Sequence, residues 1–353
     1  MKKRYILPFL LLFQIILINV ISHYPVLVER FYSNGFYPFL SRGMRIVLGK
    51  IPFSVGDCIY TILILMAIRW LWNNRKNWKQ DWKKLSLEIL SILSVFYFLF
   101  HLSWALNYYR QPLHEKMQIH RDYSYSELYS FTQKLISKTN EIQFQITHNV
   151  NKSVKNPYSK EQIFDMSKNG YLQLSKEYSF FKFEEQSTKK SLYSLPFTYM
   201  GFGGYMNPFS HEAHLNDNLL MFTFPTVVCH EMAHQIGYAF EDEANFIGFL
   251  ASKKNPDLYF QYSAYSMALL YCLREIGIQN ESQLESLLKT VNPGIIKHFE
   301  ENNAFWEKYQ SPVETVSEFI YDNFLKLNQQ KDGMESYNRF VDLLVNYYKM
   351  RTL

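Results

Sequence analysis

The chain is 353 residues long, 48% hydrophobic and 18% aromatic, with a formal net charge of +5. It is long enough to bury a sizeable core, and three scattered cysteines, Cys58, Cys229 and Cys272, exclude a disulfide framework and a cysteine metal site. The excess positive charge flanks apolar runs and forms no basic stripe, which excludes nucleic acid as the expected partner and points to a membrane.

Three apolar runs come first. Residues 5–21 are nearly all apolar, residues 55–72 follow with Asp57 near one end, and residues 85–106 form a third run with Ser, His101 and aromatics mixed in. Each approaches the roughly 20 residues that a helix needs to cross a bilayer. Lys2, Lys3 and Arg4 precede the first run as in a secretory signal, but residues 19–25 offer no small-x-small cleavage site, so an uncleaved anchor is expected. Trp70, Trp72, Trp78, Trp82 and Trp104 near the run ends fit an aromatic belt. The basic residues at 2–4, and Arg75, Lys76, Lys79, Lys83 and Lys84 between the second and third runs, favour the cytoplasm, although Arg30, Arg42, Arg45 and Lys50 in the first outer loop weaken the contrast. The expectation is a multi-pass protein of the cell membrane: a three-helix anchor over residues 1–110, with the amino terminus cytoplasmic, and an extracytoplasmic domain over residues 111–353.

Beyond Arg110 the pattern is mainly α. Ser124 with Glu127 and Ser159 with Gln162 are capping-box pairs ahead of periodic apolar segments, and residues 149–158 read as a polar loop. Between residues 192 and 219 the texture changes to Gly, Pro and aromatics around Gly201-Phe202-Gly203-Gly204, which predicts turns and a small sheet. His211, Glu212 and His214 fall in this stretch; a second metal site is one reading, and polar edge-strand residues are the commoner one.

The run His230-Glu231-Met232-Ala233-His234 follows. On a helix, His230 and His234 lie one turn apart on one face and can point ring nitrogens at one metal ion, with Glu231 beside them. Pro225 stands where such a helix can begin and Gly237 where it can end, while Val228, Cys229, Met232 and Ile236 fall on the opposite face. Zinc held by three protein ligands keeps a position open for water, and a carboxylate that does not bind the metal can take that water's proton. Glu231 is the expected general base.

A third ligand is expected within Glu241-Asp242-Glu243-Ala244-Asn245-Phe246. On an unbroken helix Glu241 would lie about 10 Å beyond His234, so the chain must turn back, and Gly237 permits that turn. Glu241 at the start of a returning helix would reach the ion, with Glu243 as the alternative and Asn245 placed to hydrogen-bond a ligand.

The segment Phe224-Pro225-Thr226-Val227-Val228-Cys229-His230-Glu231-Met232-Ala233-His234-Gln235-Ile236-Gly237, with Glu241 to Phe246 after it, resembles the core of the bacterial membrane-protein family catalogued as domain of unknown function 3810. Asn107-Tyr108-Tyr109-Arg110-Gln111-Pro112-Leu113 and residues 203–216 are similar to it as well, so the resemblance spans most of the chain. It implies architecture more than substrate. More distantly, H-E-x-x-H followed by E-x-x-A-N is similar to the gluzincin metallopeptidases. That resemblance implies a zincin-like α+β domain with Glu241, not Glu243, as zinc ligand, Asn245 behind the ligands, and a small sheet whose edge strand holds an extended substrate. This chain has Asn where many gluzincins have Asp, and a shorter gap between the motifs.

Tyr262 and Tyr265 are candidate oxyanion donors, with packing as the commoner role for tyrosine in a chain holding 27 of them. Residues 284–289, 305–327 and 334–350 read as scaffold helices. The functional expectation is a membrane-anchored zinc hydrolase, a metallopeptidase with a peptide or protein substrate; a cell-wall amidase shares the chemistry, and a membrane-tethered scaffold with a structural zinc is the competing reading.

Overall fold

The computed structural model describes residues 5–330 and 337–353. Lys2, Lys3 and Arg4, and residues 334–336 of the expected last helix, lie outside the described residues.

The chain opens with α1 (Ile6–Ile21), then α2 (Pro25–Leu27), a π-helical segment Val28–Phe36 and α3 (Tyr37–Leu48). Next come α4 (Val55–Asn74) and α5 (Trp82–Ser103), both long and apolar enough to cross a membrane. With 16 residues, α1 covers only about 24 Å, short of the roughly 30 Å hydrocarbon core. It qualifies as a span only together with the following helical segment, which it meets at a 97° bend. Among the described residues there are thus two such helices, or three if the bent pair is one span. The segment expected as an outer loop is largely helical: Pro25 and Pro38 sit in the first turns of α2 and α3, where a missing N–H costs little.

A 3₁₀ turn, Ala105–Tyr109, and α6 (Leu113–Lys116) lead into the remaining helices. Both expected capping boxes form, at the starts of α7 (Tyr125–Thr147) and α8 (Lys160–Glu177). The small sheet has the order β1 (Thr188–Lys190), β3 (Ala213–Leu215), β2 (Gly204–Met206), with β1 parallel and β2 antiparallel to β3. A short helix, α9 (Ser194–Tyr199), crosses between β1 and β2. Then follow α10 (Phe224–Gln235), α11 (Glu241–Lys254), α12 (Leu258–Gln279), α13 (Glu281–Leu288) and α14 (Pro293–Tyr309). The chain closes with α15 (Pro312–Leu327) and α16 (Tyr337–Tyr347). The run expected as one helix over 305–327 is therefore two, because Pro312 restarts the helix.

The main core gathers apolar faces of α7, α8, α10, α11, α12 and α16. At its centre α11 is buried on every side from Glu241 to Ser252, with Phe246, Ile247, Phe249 and Leu250 filling the interior. A second core joins Ile18, Tyr32, Tyr37, Trp104 and Tyr108 to Met206 and Ala239, so the segments around residues 28–48 and 104–109 pack directly against the H-E-x-x-H region. Trp72, Trp78 and Trp82 are exposed as an aromatic belt requires, but Trp104 is buried.

Candidate metal centre

Helix α10 begins with Pro225 in its first turn and buries Val228, Cys229 and Met232 completely, which turns His230 and His234 away from the core. Its last carbonyls are tied down from α3. Tyr37 Oη donates to Gln235 O at 3.1 Å, Ser41 Oγ at 3.0 Å and Arg45 Nη1 at 3.3 Å, which satisfies a helix end that would otherwise be orphaned. Gly237 then takes φ +86°, a left-handed conformation that favours glycine, and Arg110 Nη1 holds its carbonyl at 2.7 Å. The chain reverses there, and α11 returns with Glu241 in its first turn.

The reversal brings three donors together. His230 Nε2 and His234 Nε2 are 3.1 Å apart, Glu241 Oε2 is 3.3 Å from His230 Nε2, and Glu241 Oε1 is 3.6 Å from His234 Nε2. One ligand atom from each residue lies within 4.8 Å of the others, a cluster that could hold a metal ion. The partners behind the ligands are in place as well: His234 Nδ1 is 2.6 Å from Tyr238 O, which fixes the tautomer that leaves Nε2 for a metal, and Tyr321 Oη donates to Glu241 Oε1 at 2.6 Å. Trp104 stands edge-on to His234, ring centroids 6.0 Å apart.

Glu243 goes elsewhere. Two residues further along α11, it accepts the N–H of Leu113 at 2.6 Å. Burial, with Asp242 adding to it, pushes its carboxyl up. Asn245 lines the same cavity as the histidines and lies beside His230.

Glu231 is 3% exposed, and its Oε2 is buried without a hydrogen-bond partner among the described residues. Burial raises its carboxyl to about 8. For Glu241, burial raises and the two histidines lower, and the histidines win, holding it at about 2. Burial lowers His234 to about 4, whereas for His230 the neighbouring Glu241 outweighs burial and raises it. Gly204 on the edge strand β2 makes room for Glu231: a Cβ there would come 2.7 Å from Glu231 Oε1. Glu231, His230, His234 and Glu241 all face a cavity of about 2430 Å³.

The family model described as "Protein of unknown function (DUF3810)" matches residues 32–345. The chain belongs to this family. The match runs from the π-helical segment to α16 and so takes in α4 and α5 together with His230, His234 and Glu241. No curated protein and no solved structure matches this DUF3810 chain.

Other sequence candidates sort by geometry. Tyr262 donates to or accepts from His298 Nδ1 at 2.7 Å and Tyr265 packs on Phe249, both deep in the core, so neither reaches the donors. Glu212 and His214 lie in a separate buried cluster with Lys189, Ser54 and Asp57, and His211 packs against Tyr37 with the rings tilted by 51°. Tyr321 was not singled out by the sequence. It sits on α15, whose span read as scaffold, 80 positions from its partner Glu241 and among 27 tyrosines. No local pattern marks it.

Proposed function

We propose that this chain is a membrane-anchored zinc-dependent hydrolase with a zincin-like core, acting on a peptide bond. One observation carries the reading: two imidazoles and one carboxylate converge while a fourth group, Glu231, lines the same cavity with an oxygen that has no hydrogen-bond partner among the described residues. Two His nitrogens and one carboxylate oxygen are a donor set that suits zinc. Zinc bound there supplies Lewis acidity, lowering the pKa of a bound water and polarising a carbonyl.

The remaining steps belong to the chain. His234 is held by Tyr238 O and Glu241 by Tyr321, so their donor atoms keep their directions without help from substrate. Glu231, buried at the cavity beside the three donors, is placed to take a proton from water. It then delivers that proton to the leaving amine as the C–N bond breaks, and the water oxygen ends on the acyl carbon. Strand β2 forms the sheet edge beside Glu231 and lines the cavity, which supports an extended substrate laid along it. The basic connection between α4 and α5, with Arg75, Lys76 and Lys79, favours the cytoplasm, and this puts the metal centre on the opposite side of the membrane.

Glu231→Gln is the test. The variant keeps the zinc content of the wild type and loses hydrolysis of a peptide library by about 100-fold or more, the scale of a lost general base. Retention of full activity would overturn the assignment of Glu231.

A further inference from the structure

The cavity at the metal centre continues beyond the globular domain. Its wall runs onto α4 at Tyr60, Leu63, Ile64 and Ala67 and onto α5 at Phe96 and Phe100. The four α4 positions repeat at helical spacing and so form one face. The end of α4 that meets the domain is Val55: the N–H groups of Val55 and Gly56 donate to Glu212, and Asp57 accepts from Leu192 N and Ser191 Oγ. Counted from that end at 1.5 Å per residue, Ala67 lies about 18 Å along the helix. A hydrocarbon core is about 30 Å thick, so this arm of the cavity reaches membrane depth. On α5 the domain-side end is Ser103, and Phe96 lies about 10 Å from it.

Helix α15 closes the opposite side. Tyr321 reaches the metal centre from it, while Val313, Val316, Ile320 and Leu327 form an outward stripe, each more than half exposed. Glu314, Glu318, Asp322 and Lys326 lie on another face of the helix, with exposed Phe319 next to them. Such a division suits a helix lying at a bilayer surface. Phe324 of α15 touches Phe100 of α5, ring centroids 6.1 Å apart, so the stripe adjoins the apolar helices. The cavity is thus polar at His230, Glu231 and Glu241 and apolar where α4 and α5 wall it.

We propose that the substrate is a peptide cut beside its own membrane anchor, the anchor lying along α4 and α5 and the scissile bond lying at Glu231. The cleavage half rests on the zinc-hydrolase reading; the anchor-binding half does not.

The test uses the full chain in vesicles of phosphatidylethanolamine and phosphatidylglycerol. The probes are a degenerate octapeptide pool with an amino-terminal palmitoyl chain carrying a terminal diazirine, the same pool acetylated, and the free diazirine palmitate. Photolysis is expected to label Leu63, Ile64 or Ala67 from the palmitoylated pool, with the free acid labelling them at least about fivefold less. The palmitoylated pool is expected to be cleaved at least about tenfold faster than the acetylated one. Ala67→Trp, which fills the arm, abolishes the labelling and the preference, and Ile62→Trp, outside the cavity wall on the same helix, leaves both unchanged. Equal cleavage of the two pools, or equal labelling by the free acid, would overturn the proposal. Peptide-dependent labelling without cleavage of either pool leaves the anchor site standing and sinks the hydrolase reading.

Discussion

The molecule buries two clusters of histidine and carboxylate, and they are built to opposite ends. Around Glu212, neighbours inside the protein supply a counter-charge and hydrogen bonds to its carboxylate: Lys189 Nζ at 2.9 Å, Gly56 N at 2.6 Å, and His214, whose Nε2 also meets Ser54 Oγ at 2.8 Å. Lys189 in turn donates to the carbonyls of Leu48, Ile51 and Phe53. Around Glu241, two imidazole nitrogens and a carboxylate crowd together within 4.8 Å, and Glu231 beside them leaves an oxygen without a partner. Histidine and glutamate are therefore poor evidence of a metal centre by their presence alone. What separates the clusters is a counter-ion: the first has a lysine inside it and serves as a latch between α4 and the sheet, whereas the second gathers donors without one and opens on a cavity.

The sharpest way to break the comparison is to remove one carboxylate from each side of α11. Glu241→Ala should lower zinc affinity by about a thousandfold or more, because a lost ligand exceeds the 10- to 100-fold cost of an outer residue. Glu243→Ala should leave zinc affinity within about threefold of wild type and instead destabilise the fold by about 1–3 kcal/mol, since Leu113 N–H loses its buried acceptor. Competitive zinc titration and thermal unfolding separate the two; loss of metal from Glu243→Ala alone would move the ligand assignment.

The latch answers to a different perturbation. Lys189→Met strands a buried Glu212 and should cost about 3 kcal/mol of stability, with zinc content unchanged. A variant that lost zinc while remaining as stable as wild type would merge the two clusters into one system. The smallest expected effect is in pH. Burial by itself pushes Glu212 up, but hydrogen bonds from His214, Lys189 and the Gly56 N–H outweigh it and hold the carboxyl at about 2, below its ordinary 4.5. The folded state thus favours the carboxylate, so its contribution is complete above about pH 4.5 and fades as pH falls towards 2. The melting temperature of wild type should exceed that of Glu212→Gln at pH 7 and approach it at pH 3; a gap that widens on acidification would contradict the pairing.

Much of the cluster of His230, His234 and Glu241 was legible because its geometry is local. The i, i+4 histidines, the proline that opens α10 and the glycine that reverses the chain are all set by short-range rules, whereas the preference for Glu241 over Glu243 rests on the gluzincin resemblance, and the fold brings Glu241 to the histidines. The sheet before α10 was legible in kind but not in pairing, since β1 at Thr188–Lys190 runs parallel to β3 from outside the Gly-rich stretch. Contacts between distant segments left no pattern. Tyr321 reaches Glu241 across the tertiary fold, Trp104 faces His234 and not an interface, and α3 ties down the end of α10 from a segment that read as an outer loop. Amphipathic spacing on α15 fits scaffold and cavity wall equally well, so only packing assigns it.

Zinc stoichiometry of the purified full-length chain, set beside that of a His230→Ala, His234→Ala double variant of the same solubility, bears most directly on the metal centre. The expected result is one tightly held zinc per wild-type chain and none in the double variant. Equal zinc in both, or none in a folded wild type after zinc has been supplied, would contradict it.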